Sequence, residues 1–222
     1  MRLPASCNPR ARPSRRGATL LELAIGATLI ATMLAALALS QERATRAYDT
    51  GRERLELEER AHRVLDRIAA EFDEAERETL GPEPDPVLGG EFLNYRRSEG
   101  FGEGGIEWGE MTRIAYEREP GELDDGLDND GDGLVDEARV VWTLDPDGIA
   151  PQQVTWCGGV RELLGGELAN GLDDNGNGLI DEPGLTFELG GNLLTIRLTV
   201  EGLDAEGRLL SETVQTAVVV RN

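Results

Sequence analysis

The sequence predicts an α+β fold, in which one long N-terminal helix precedes a run of short strands forming an antiparallel sheet. Three observations predict it. Residues 18–39 form an apolar run with a single charge, Glu22. Further on, Ala61, Val64, Leu65, Ile68, Phe72 and Ala75 recur mostly at spacings of three and four, which is one apolar stripe on a helix. After a Pro/Gly linker at 81–90 the period shortens. The chain then ends in two alternating segments, 193–200 and 209–220, that read as a hairpin across Gly202 and Gly207.

Residues 1–17 come first. They hold Arg2, Arg10, Arg12, Arg15 and Arg16, no acid, and three prolines that oppose a long helix. At 1.5 Å per residue the apolar run 18–39 is about 33 Å long, enough to cross a bilayer core. The arginines before it are expected to stay cytoplasmic, which puts the rest of the chain outside. The rival reading is a secretory signal cut near Ala36-Leu37-Ala38. Against it stand Glu22 within the apolar region and the length of that region. Residues 40–80 continue the helix in amphipathic form, with Gly51 as a weak point and an end expected before Gly81-Pro82. Glu58, Glu59, Arg63, Asp66, Arg67, Glu74 and Arg77 form its solvated face.

Residues 81–222 are read as the globular part, with strands at 92–96, 111–117, 139–144, 153–157 and 185–189 before the final hairpin.

Charge excludes some functions. The formal net charge is −21, and every basic side chain except His62 is an arginine. Binding nucleic acid depends on neutralising phosphates, so direct contact with it is not expected. His62 is the only histidine and reads as a surface residue on the helix. Cys157 has no histidine partner in view, and no pair of acids is placed across a cleft, so an enzyme is not expected. Cys7 lies in the basic leader, which leaves Cys157 without an intramolecular disulfide partner once the leader is removed.

Arg15-Arg16-Gly17-Ala18-Thr19-Leu20-Leu21-Glu22 resembles the processing site of type IV pilins and type II secretion pseudopilins. The resemblance implies cleavage by a prepilin peptidase after Gly17, methylation of Ala18, and an assembly role for Glu22. That family usually has Phe where Ala18 stands. Glu22 would pair with the free amine of a neighbouring subunit, offsetting the roughly 2.5–3.5 kcal/mol that an acid costs at the centre of a membrane helix. The alternative places Glu22 at the headgroup level. In the family, the second half of the helix packs its stripe on the sheet.

Two acidic stretches repeat 45 residues apart. DGLDNDGDGLVDE at 125–137 and NGLDDNGNGLIDE at 170–182 share 8 of 13 positions, and four of the five differences exchange Asp with Asn. Asp128, Asp130 and Asp132 alternate before Gly133, as oxygen ligands do in the first half of an EF-hand calcium loop. Leu134 would add its carbonyl, with Asp136 and Glu137 following. In the second loop Asp173, Asn175, Asn177, Leu179, Asp181 and Glu182 take these places. The bidentate glutamate of the EF-hand is missing, since Arg139 and Gly184 stand there. The expected cofactor is calcium, one or two ions, bound more weakly by the second loop. The rival reading is a pair of Asp-Gly and Asn-Gly turns.

Together these features predict a minor pilin or minor pseudopilin, most like J-type pseudopilins or W-type minor pilins. It is expected in the inner membrane with one crossing, and extractable into a filament. Its partners would be other pilin-like subunits through the N-terminal helix. The K-type tip subunit is disfavoured because it usually lacks the counterpart of Glu22. The alternative is a membrane-anchored or secreted calcium-dependent binding module of adhesin type, for which Trp108, Trp142 and Trp156 would supply an aromatic surface.

Overall fold

The computed structural model describes residues 19–102 and 104–221. The chain divides into two units, Met1–Ala47 and Tyr48–Asn222. Helix α1 spans Leu20–Asp73. Thr19 starts it with a capping box: Glu22 N donates to Thr19 Oγ1 at 3.2 Å, and Thr19 N donates to Glu22 Oε2 at 2.8 Å. In the first unit the helix is apolar enough to cross a membrane, and its leucines, isoleucines and Met33 are exposed.

The second unit is α+β. The expected stripe is the buried face of the helix: Leu57, Ala61, Val64, Leu65, Ile68 and Phe72 lie in the core, with Ala75 just beyond the helix end. His62 and the charged residues Glu58, Glu59, Arg63, Asp66, Arg67 and Glu74 face solvent. Gly51 does not interrupt the helix. The helix ends at Asp73, before Gly81, and a 3₁₀ turn at Arg77–Thr79 fills the gap.

All seven strands read from the sequence are present, as β1 (Phe92–Tyr95), β4 (Thr112–Arg118), β5 (Ala138–Leu144), β6 (Gln152–Val160), β7 (Leu185–Gly190), β8 (Leu193–Leu203) and β9 (Leu209–Val219). A further hairpin, β2 (Ser98–Gly102) with β3 (Gly105–Trp108), forms its own two-stranded sheet. The main sheet is antiparallel in the order β1-β4-β5-β6-β8-β7, with β9 also on β8. One edge of β8 carries β9 from Leu193 to Leu203. The other carries β7 along Leu193–Leu198 and meets β6 at Val200. Gly90 exchanges backbone hydrogen bonds of 2.9 and 3.0 Å with Phe187 of β7, so the entry to β1 comes back to the far strand and the sheet nearly closes on itself.

The helical stripe fills the curled sheet. Phe72 sits 5.0 Å from the Tyr95 ring and 5.9 Å from the Phe187 ring. Leu93, Ile114, Val140, Ile196 and Val200 close around it. Each large side chain buried here contributes about 1.5–3 kcal/mol. Trp142 and Trp156 stack with centroids 6.4 Å apart and lie half-buried against this core, with Arg67 4.2 Å over the Trp156 ring.

Phe72→Ala removes the aromatic centre of the core. It is expected to lower stability by about 3–5 kcal/mol, read by denaturant unfolding of the full chain in detergent micelles. Cys157 is buried in the same core, and burial pushes its thiol pKa up. In a Cys7→Ser chain, Cys157 is expected to resist alkylation at pH 8 until denaturant is added, read by mass spectrometry.

Candidate functional site

The two repeated loops are both connections between strands of the main sheet. The first joins β4 to β5 and the second joins β6 to β7. Their backbones follow the same path. Gly126, Gly131, Gly133 and Asp136 have φ of 74, 85, 95 and 53°, against 78, 76, 94 and 49° for Gly171, Gly176, Gly178 and Asp181. Gly133 shows why glycine is needed there, because its φ is left-handed and a Cβ would also press on Leu203 at 2.5 Å. Asp136 and Asp181 tolerate positive φ because each carboxylate accepts two nearby N–H groups. Those donors are Asp125 and Gly126 for Asp136, and Asn170 and Gly171 for Asp181.

Most acidic side chains in the loops hold the backbone. Asp128 accepts from Gly131 N and Gly133 N, and Asp173 accepts from Gly176 N, Asn177 N and Gly178 N. Asp130 accepts from Asp132 N, and Asp132 from Leu134 N. Asn175 and Asn177 do the same for Asn177 N and Leu179 N. Leu134 and Leu179 bury their side chains. The Asp136 carboxylate also lies 3.7 Å from Arg118.

Two residues that organise the loops were not among those predicted. Buried Glu122 accepts from Asn129 N, Asp130 N and Asp136 N. Buried Glu167 accepts from Asn175 N and Asp181 N. They too are 45 residues apart, each within an identical Gly-Glu-Leu. Extending the repeat alignment four residues upstream would have found them. The equivalence reaches further still in the backbone. Glu119 N donates to Glu137 O at 3.2 Å, and Leu164 N to Glu182 O at 2.9 Å.

Glu137 and Glu182 are the fully buried acids, each at 0% exposure. Their surroundings differ. Both oxygens of Glu137 lack a hydrogen-bond partner. Burial, reinforced by the carboxylates of Asp132, Glu122 and Asp130, pushes the Glu137 pKa up to about 7. One oxygen each from Glu119, Asp130 and Glu137 lies within 4.8 Å of the others, a spacing that could hold a metal ion. A second such group joins Glu122, Asp128 and Asp130. Glu182 instead accepts at Oε1 from the side-chain amides of Asn175, at 3.0 Å, and Asn177. The structure therefore brings Asp128, Asp130 and Glu137 into acidic groups. Neither group includes Asp132 or Asp136.

At the other end, Glu22 closes the helix cap, while Gly17 and Ala18 lie outside the described residues. Comparison with protein families, with curated proteins and with solved structures finds no match.

Glu167→Ala removes the acceptor that ties Asn175 N and Asp181 N together. Each orphaned N–H costs about 1–3 kcal/mol. The variant is expected to be nicked within residues 168–181 faster than the parent under limited proteolysis, with cleavage sites mapped by mass spectrometry.

Proposed function

We propose that this protein is a minor pilin or minor pseudopilin, a membrane-anchored assembly component of a type IV pilus or type II secretion filament. The observation that carries the reading is the N-terminal arrangement. A basic, acid-free segment ends at Gly17-Ala18, an acid follows at Glu22, and the helix is then uncharged and mostly apolar to Leu39. Supporting it, the part of the helix within the second unit buries its stripe on an antiparallel sheet.

The apolar part of α1 needs lipid or neighbouring helices around it, since its large side chains are exposed. Glu22 is the one charge in that surface. Thr19 N satisfies one of its oxygens in the single chain. In a filament, a neighbour's N-terminal amine would compete for that carboxylate and fix the axial register of subunits. The extracytoplasmic part would carry calcium, one or two ions, in its acidic region. The adhesin alternative needs an exposed aromatic surface; of the three tryptophans, Trp142 and Trp156 pack against the core and Trp108, on β3, is half-buried.

The test is the intact mass and N-terminal sequence of the protein from membranes, with and without the prepilin peptidase. The reading expects a chain beginning at methylated Ala18 only when the peptidase is present. A chain beginning at Leu39 would instead mean secretion by an ordinary signal peptide. A chain still beginning at Met1 in both cases would overturn the pilin-like reading. Glu22→Ala is expected to leave cleavage intact but to reduce incorporation into filaments, scored by cross-linking to co-expressed pilin-like partners.

A further inference from the structure

The two loops share one backbone but not one pocket, and the differences fall around a single buried carboxylate. In the first loop that carboxylate is Glu137, fully buried, with neither oxygen partnered. It faces Glu119 and Asp130, one oxygen from each lying within 4.8 Å of the others. In the second loop the position of Glu119 is taken by Leu164, buried at 2% exposure. The backbone hydrogen bonds define this correspondence. Glu119 N and Leu164 N donate to the carbonyls of Glu137 and Glu182, and Glu122 N and Glu167 N donate back to the carbonyls of Glu119 and Leu164. The positions of Asp130 and Asp132 are taken by Asn175 and Asn177, whose amides donate to Glu182.

The asparagine orientations have a local cause. Asn175 Oδ1 accepts from Asn177 N at 2.9 Å, and Asn177 Oδ1 accepts from Leu179 N at 2.8 Å. With each oxygen taken by the backbone turn, each NH₂ group is left to face Glu182. One negative charge meets two amide donors there, both on Oε1. In the first loop the same turns use Asp130 and Asp132, whose side chains have no N–H to offer. Three carboxylates then converge with nothing positive between them. Arg60, which lies beside Gly159, gives its Nη2 to the carbonyl of Glu201, and among the described residues no arginine forms an ion pair with Glu119 or Glu137. A buried carboxylate in such company requires a cation or a proton.

We propose that the first loop holds one calcium ion between Glu119, Asp130 and Glu137, and that the second loop holds none because the Asn175 and Asn177 amides take the place of the ion. This rests on the calcium part of the proposed function and is independent of its membrane part. The donor set is all carboxylate, which suits a hard divalent cation. Carbonyls and water would complete the six to eight oxygens that calcium takes. Glu119 lies outside the repeated acidic motif and just past the end of β4, so the ion ties the loop to the sheet. Glu119 Oε1 also accepts from Gly159 N at 2.8 Å, which extends the tie to β6.

The experiment is calorimetric titration of the chelator-treated full chain, in detergent micelles, with calcium chloride alone. One ion per chain is expected, at a dissociation constant within about 10⁻⁴–10⁻³ M or tighter. Glu137→Gln and Glu119→Leu are each expected to weaken binding by roughly tenfold or more. Glu182→Gln is expected to leave it within about twofold. Glu137→Gln removes an uncompensated buried charge, so without calcium it should unfold at a temperature no lower than the parent, which separates lost binding from lost folding. Exchanging Leu164→Glu, Asn175→Asp and Asn177→Asp together should add a second ion. Two ions in the parent, or equal effects of Glu182→Gln and Glu137→Gln, would overturn the one-ion assignment while leaving calcium binding standing. No heat at millimolar calcium, with no change in unfolding temperature, would overturn both. Neither result bears on processing at Gly17.

Discussion

The second unit depends on one packing interaction, the docking of a single helical stripe into a sheet curled almost to closure. Leu57, Ala61, Val64, Leu65, Ile68 and Phe72 come from one stretch of sequence and share one core cluster with side chains from all seven strands of the main sheet. A flat sheet would cover such a stripe on one side only. The near-closure through Gly90 and Phe187 brings β1 and β7 together, and Tyr95 and Phe187 both pack on Phe72. The curl also reduces free sheet edges, which otherwise invite pairing with other chains. β9 remains an outer strand with one buried side chain, Val214.

The acidic loops are a consequence of that sheet. The first returns the chain from β4 to its neighbour β5, and the second carries it from β6 to β7, which does not pair with β6. Each does so with carboxylate and amide side chains accepting the loop's own N–H groups. Within the two repeated stretches the buried apolar anchors are Leu134 and Leu179, while Leu127, Val135 and Leu172 stay exposed. The order of each loop comes from satisfied backbone donors, which is why Glu122 and Glu167 are buried although they are charged. The cost of this design is an excess of negative charge inside the loop, and the two copies relieve it differently.

Much of the fold is legible in the sequence, for reasons that differ by element. The helical stripe has a period that only a helix satisfies, and the final hairpin alternates over enough residues to fix its type. β2 and β3 were not legible, because Ser98-Glu99-Gly100-Phe101-Gly102 has neither alternation nor β-branched residues and Gly105-Ile106-Glu107-Trp108 alternates over only four. Their pairing is local and stands apart from the main sheet. β6 runs on to Val160, past the expected end at Cys157, across two glycines where its register with β5 shifts.

The site was half legible, and the division is physical. Repetition marked the acidic positions, and spacing suggested oxygen ligands. Neither distinguishes a carboxylate that serves the backbone from one left free. Asp128 and Glu137 look alike in sequence, yet Asp128 is occupied by two N–H groups and Glu137 by none. Glu119 carried no signal of residue type, since the position 45 residues on is Leu164. The matching hydrogen bonds to the carbonyls of Glu137 and Glu182 show that the two positions are nonetheless equivalent. A repeat that keeps its backbone while changing the charge of its pocket separates two things a motif search joins, the shape of a loop and its need for an ion.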